Sequence, residues 1–94
     1  MNHKKIIRGW KVIANELTNL KRQFALLTRR ERQVLSYVVG GKLNKQIAFE
    51  LDISERTVKA HRAQVMEKME VDSLAELVQM AGRLGVQPPS PDKG

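Results

Sequence analysis

The chain contains no cysteine, which excludes disulfides and thiolate metal sites. That absence fits a reducing compartment. Only two histidines occur, His3 and His61. No spacing of acids around them suggests a metal site, so neither a metal nor any other cofactor is expected. No apolar run approaches the roughly 18 residues that cross a membrane, and no signal-peptide pattern opens the chain. The expectation is a cytoplasmic protein. Internal repeats and strand-period segments are missing as well. So are a nucleophile–base pair, a carboxylate pair and a glycine-rich phosphate loop. A chain of 94 residues buries only about 60–65% of its unfolded surface, so its core is thin and a deep cleft is out of reach. No enzyme and no small-molecule substrate are expected.

Basic charge is present, and it is unevenly placed. The formal net charge is +7. Residues 1–30 hold eight basic residues against one acid, Glu16, while residues 31–94 hold nine of each. A basic total favours a polyanionic partner such as nucleic acid. The excess lies in the N-terminal third, however. A recognition surface further along must draw its positive field from arrangement rather than from local excess.

Punctuation divides the chain into three parts: an amphipathic N-terminal or linker helix over 1–26, a domain over 27–86 and a disordered tail over 87–94. In the first part Ile6, Trp10, Ile13, Leu17, Leu20, Phe24 and Leu27 recur at alternating spacings of 4 and 3. That is a heptad seam. It suits an intermolecular coiled coil and a stripe packed on the chain's own core equally well. Thr28-Arg-Arg-Glu31 is a capping box that opens a helix over 29–39, with Val34, Leu35, Val38 and Val39 inward. Gly40-Gly41 ends it. Asn44 is expected to cap a helix over 45–51 with Ile47, Ala48 and Leu51 inward. Asp52-Ile53 makes a tight turn, and Ser54 caps a helix over 55–69. Ser73-Leu-Ala-Glu76 is a second capping box and opens a helix over 74–84, which Gly85 ends. The tail QPPSPDKG is proline-rich and polar.

The helix over 45–51, its three-residue turn and the helix over 55–69 form a helix-turn-helix pattern. The turn needs a left-handed residue after Leu51, where glycine is usual. Aspartate at 52 tolerates that conformation better than most residues. At about 100° per residue, Val58, Val65 and Met69 define the inward side of the longer helix. Arg56, Ala60, Ala63, Gln64 and Glu67 lie outward, with Lys59 beside them and His61 and Arg62 at the flanks. Alanine is the best helix former, so Ala60 and Ala63 could be filler, and Lys59 and Arg62 a solvated face. Together with a preceding helix and a tight turn they fit duplex DNA better. A major groove about 12 Å wide admits a helix whose deepest ridge is short. Alanine methyls at 60 and 63 can touch thymine methyls, Lys59 can reach guanine acceptors, and Gln64 can read adenine. Arg56, Arg62, His61, the Thr57 hydroxyl and Lys45 suit phosphates.

LTRRERQVL, NKQIAFELDISERTVKAHRAQVMEKM and SLAELVQMA together resemble the LuxR-type helix-turn-helix domain. The similarity is to the output domain of FixJ- and NarL-like two-component response regulators, and it covers about residues 23–86. The resemblance implies an all-α fold: a four-helix helix-turn-helix domain, here preceded by an amphipathic helix. It implies a nucleoid-associated transcriptional regulator that binds double-stranded promoter DNA, and it leaves RNA polymerase open as a partner. Carried over by position, base-edge contacts fall on Lys59, Ala60 and Ala63, with Gln64 added from the wheel. Backbone contacts fall on Lys45, Arg56, Thr57, His61 and Arg62. Where the family carries a basic residue at the position of Ala63, this chain has a methyl, which shifts emphasis to Lys59 and Gln64. The resemblance also implies a homodimer through the last helix, with Val78 and Ala81 as the face and Leu74 and Leu77 in the core. Such regulators carry a receiver domain upstream, and the resemblance covers none here. Segment 3–27 resembles the linker helix that joins the two. A natural single-domain regulator and a fragment both remain open. A competing reading is an interaction module that docks on another regulator through its heptad helix.

Overall fold

The computed structural model describes residues 9–89, with side chains from residue 16 onward. Among the described residues there are five helices and no strand: α1 Gly9–Ala25, α2 Arg29–Val39, α3 Asn44–Leu51, α4 Glu55–Met69 and α5 Leu74–Leu84. The all-α architecture expected from the sequence is the one observed.

Local chemistry sets the helix starts. The Thr28 amide donates to Glu31 Oε1 at 2.9 Å and the Glu31 amide donates to Thr28 Oγ1 at 3.1 Å. Both halves of the first capping box are therefore made, and two amides that α2 leaves without helical partners are satisfied. Ser54 Oγ accepts from the Thr57 amide at 3.0 Å to open α4, and Ser73 Oγ accepts from the Glu76 amide at 3.1 Å to open α5. The second capping box is only half made, because Glu76 Oε1 accepts from the Asp72 amide at 3.2 Å instead of the Ser73 amide. The expected cap at Asn44 is also corrected. Leu43 is the N-cap and Asn44 the first helical residue, since the Leu43 amide donates to Gln46 Oε1 at 2.8 Å. The turn between α3 and α4 is left-handed at Asp52, φ 57° and ψ 48°, as the helix-turn-helix pattern requires.

Helix α4 is the centre of the packing. It meets α1, α2 and α3, while α5 closes against α1 and α2. Val34, Leu35, Ile47, Val58, Val65, Met69 and Leu77 are the largest fully buried side chains. Ala48, 7% exposed, is the small residue at the α3–α4 crossing. The heptad stripe of α1 joins this core: Leu20 and Leu27 are buried and Phe24 packs against them. The lower half of the stripe thus lies on its own domain, which decides for those residues between the two expected readings. Ile6 lies outside the described residues, as do the side chains of Trp10 and Ile13. Three carbonyls at the end of α1 are held by cations. Arg32 Nη2 donates to the carbonyls of Phe24 and Ala25 at 3.4 and 3.5 Å, and Lys68 Nζ donates to that of Leu26 at 3.3 Å. The Arg32 guanidinium also lies 4.6 Å from the centroid of the Phe24 ring, a cation–π contact.

Beyond α5 the chain turns at Gly85, φ 77°. Val86 packs on the core. A Cβ added at Gly40 would lie 3.0 Å from Cβ of Pro88, so the tail folds back over the end of α2 at residues expected to be disordered. Residues 90–94 lie outside the described residues.

Candidate nucleic-acid interface

The residues singled out in the sequence fall mainly on one side of α4. Arg56, Lys59, Ala60, Ala63, Gln64 and Glu67 are all exposed, whereas Val58, Val65 and Met69 are buried. The helix therefore presents a ridge of two alanines framed by longer polar side chains. A short ridge lets the backbone come close to whatever it meets, which is the geometric demand of a major groove.

The two flanks of that ridge differ. On one flank, His61 and Lys68 turn toward the start of α2. Lys68 Nζ lies 2.8 Å from Glu31 Oε1, and Glu31 is the one buried charged residue among those described. Burial alone would raise the Glu31 carboxyl's pKa. The hydrogen bonds from Lys68 and the Thr28 amide, with the charges of Lys68 and His61, outweigh it and hold the carboxyl below its ordinary value. Lys68 is therefore neutralised by a partner in the domain. His61 is half-buried with its charge felt at Glu31, so it sits at the α2–α4 seam and not on the open ridge.

On the other flank, Arg62 is half-buried and its Nη1 donates to Asn44 Oδ1 at 2.9 Å. Asn44 and Arg62 line a shallow depression with Lys42, Leu43 and Leu74. Lys45 follows Asn44 and is exposed. The Thr57 hydroxyl lies 2.9 Å from Ser54 Oγ. With Ser54 Oγ already accepting from the Thr57 amide, the two hydroxyls share one hydrogen bond and keep one proton for an outside acceptor.

Two residues expected elsewhere are relocated on α5. Ala81, expected on a dimer face, is 1% exposed and belongs to the core. It lies on the side of α5 that packs on α1 and α2, where only a small side chain lets the helices approach. Leu74, expected in the core, is 48% exposed. Val78 is exposed as expected, and Leu77 is buried. The Asn44–Arg62 pair was missed altogether. A signal was present in the wheel, which put Arg62 at the core boundary where a polar side chain needs a partner, but its identity lay 18 residues upstream.

Comparison with known proteins adds to this geometry. Residues 25–81 match the model of the family described as bacterial regulatory proteins, luxR family. The chain is 51% identical over 71 residues to the response regulator protein TmoT of Ectopseudomonas mendocina, covering 76% of this chain and 32% of that protein. It is 52% identical over 67 residues to the transcriptional regulatory protein FixJ of Rhizobium meliloti (strain 1021), covering 71% of this chain and 33% of that one. Among solved structures, the response regulator StyR superposes with a TM-score of 0.74 at 44% identity, covering 82% of this chain and 39% of that chain. Full-length FixJ from B. japonicum superposes with a TM-score of 0.70 at 40% identity, covering 87% and 41%. The chain spans about a third of the length of these curated relatives.

Proposed function

The chain belongs to the luxR family of bacterial regulatory proteins, a family of DNA-binding transcription regulators, and from that premise we propose that it is a sequence-specific regulator that seats α4 in the major groove of promoter DNA. The observation that supports this reading best is the exposed Ala60–Ala63 ridge on the outer face of α4, with Lys59 beside it. In this reading Lys59 and Gln64 reach base edges, and Ala60 and Ala63 make apolar contact with thymine methyls. Lys45, Arg56, Arg62 and the Thr57 hydroxyl hold phosphates. His61 supports the seam behind the ridge and meets a phosphate only at its outer edge. Two chains bind adjacent half-sites, joined by the exposed face of α5 around Val78.

The test is a titration of duplex affinity against salt, on sites selected from random sequence by the full chain. A protein that neutralises several phosphates loses affinity with a log–log slope of about −0.9 per contact. A steep slope together with loss of site preference in Lys59→Ala supports the proposal. A flat slope sinks it, and a Lys59→Ala protein that selects the same site removes Lys59 from the base contacts.

A further inference from the structure

Two cations flank the outer ridge of α4, and the domain treats them differently. Lys68 is bound by the Glu31 carboxylate at 2.8 Å, so its charge is cancelled where it sits. Arg62 is bound at 2.9 Å by the amide oxygen of Asn44, which carries no charge. Among the described residues no carboxylate forms an ion pair with Arg62. A guanidinium has five N–H groups in a rigid fork. One is used on Asn44, and the rest keep their donors and the full positive charge.

The place of the bond adds to its meaning. Asn44 is the first residue of α3 and Arg62 lies in the second turn of α4. The bond therefore spans the helix-turn-helix from the start of one helix to the flank of the other. Lys45, the next residue of α3, is exposed, and Lys42 borders the same depression. In helix-turn-helix proteins the first of the two helices crosses the DNA backbone while the second enters the groove. A cation held beside the start of α3 stands where a phosphate would pass.

We propose that Asn44 is a positioning residue for DNA binding: it holds the Arg62 guanidinium in place for a backbone phosphate without neutralising it. This rests on the DNA-binding reading above. A neutral acceptor is what the task requires. A carboxylate at 44 would fix the guanidinium as well and remove the charge that meets DNA. An apolar residue would leave the charge and lose the tether. A side chain already held at one N–H gives up less freedom when it meets its phosphate.

The full chain, its Arg62→Gln, Asn44→Ala and Asn44→Asp variants, and the Arg62→Gln/Asn44→Ala double variant are titrated with salt on a duplex selected by the wild-type chain. Arg62→Gln is expected to weaken binding and make the log–log slope shallower by about 0.9 per subunit. Asn44→Ala is expected to weaken binding severalfold in the wild-type background and to add no loss in the Arg62→Gln background. Asn44→Asp keeps the acceptor, so its thermal midpoint should stay at or above that of the wild type. Its slope should nevertheless become shallower, as in Arg62→Gln. A merely structural asparagine behaves otherwise: its removal costs the same in both backgrounds, and Asn44→Asp keeps the wild-type slope. Either of those results overturns the proposal. A wild-type chain with a flat slope overturns the DNA-binding reading itself, and the proposal falls with it.

Discussion

Glu31 shows how one side chain can belong to two scales of structure. Its carboxylate completes the cap of α2 and also receives the Lys68 ammonium from α4. The capping half was legible in the spacing from Thr28 to Glu31, because a cap is local. The Lys68 half was not, since the two residues stand 37 apart. Glu31→Gln keeps the shape and removes the charge, and we expect it to cost about 1–3 kcal/mol at neutral pH. The pH dependence follows from the direction of the shift. The folded carboxyl titrates below its ordinary value, so its contribution is complete above the unfolded value and is lost as pH falls through the folded one. The stability gap between wild type and Glu31→Gln should therefore narrow on acidification. Chemical denaturation across the acid range measures it, and a gap that widens toward acid contradicts the account. Lys59 is the matching residue on the outer ridge. Its replacement by alanine should lose about 1–3 kcal/mol of discrimination at one base pair, read as relaxed preference at a single position of the selected site. A uniform loss across all positions would instead make Lys59 a phosphate contact.

At the scale of elements, the starts of α2, α4 and α5 were readable because each is set by a hydroxyl within four residues of it. The exception is Asn44. Asparagine is among the strongest caps, yet Gln46 holds the amide at Leu43 and Arg62 holds the Asn44 oxygen. The first partner is local and was readable in principle. The second depends on how α3 and α4 cross, which no window of sequence contains. Leu74 and Ala81 were misplaced for a related reason. A wheel gives the apolar side of α5 but not which part of that side the rest of the chain covers. Among the described residues two helix ends carry left-handed residues other than glycine, Asp52 after α3 and Glu70 after α4, both at φ 57°. Aspartate bears this conformation better than glutamate, and only glycine adopts it freely. Glu70→Gly should therefore stabilise the domain by up to about 1 kcal/mol, and Asp52→Gly by less. Thermal unfolding of the two variants compares them directly, and the reverse order would show that the Asp52 side chain makes no allowance for its backbone.

At the scale of the whole molecule, the proposed dimer has two candidate apolar surfaces. The N-terminal stripe and the last helix both offered one in the sequence. In the structure Leu20, Phe24 and Leu27 are committed to the chain's own core, and among the described side chains of the stripe Leu17, at 36%, is the exposed one. On α5, Leu74 and Val78 are 48% and 39% exposed. They stand four residues apart and so share one face. A two-fold dimer apposes the same patch from both chains, which would bring Val78 against the Val78 of the second copy. A glutamate there places like charges across the contact. Since Val78 is outside the core, Val78→Glu should change the thermal midpoint of the free chain little, within about 0.5 kcal/mol. Its effect belongs to the complex: sedimentation on a duplex with two half-sites should fall from two chains to one. Leu17→Glu tests the rival surface in the same experiment. Should Leu17→Glu alone halve the stoichiometry, the N-terminal helix carries the dimer, and the exposed face of α5 is left for a different partner.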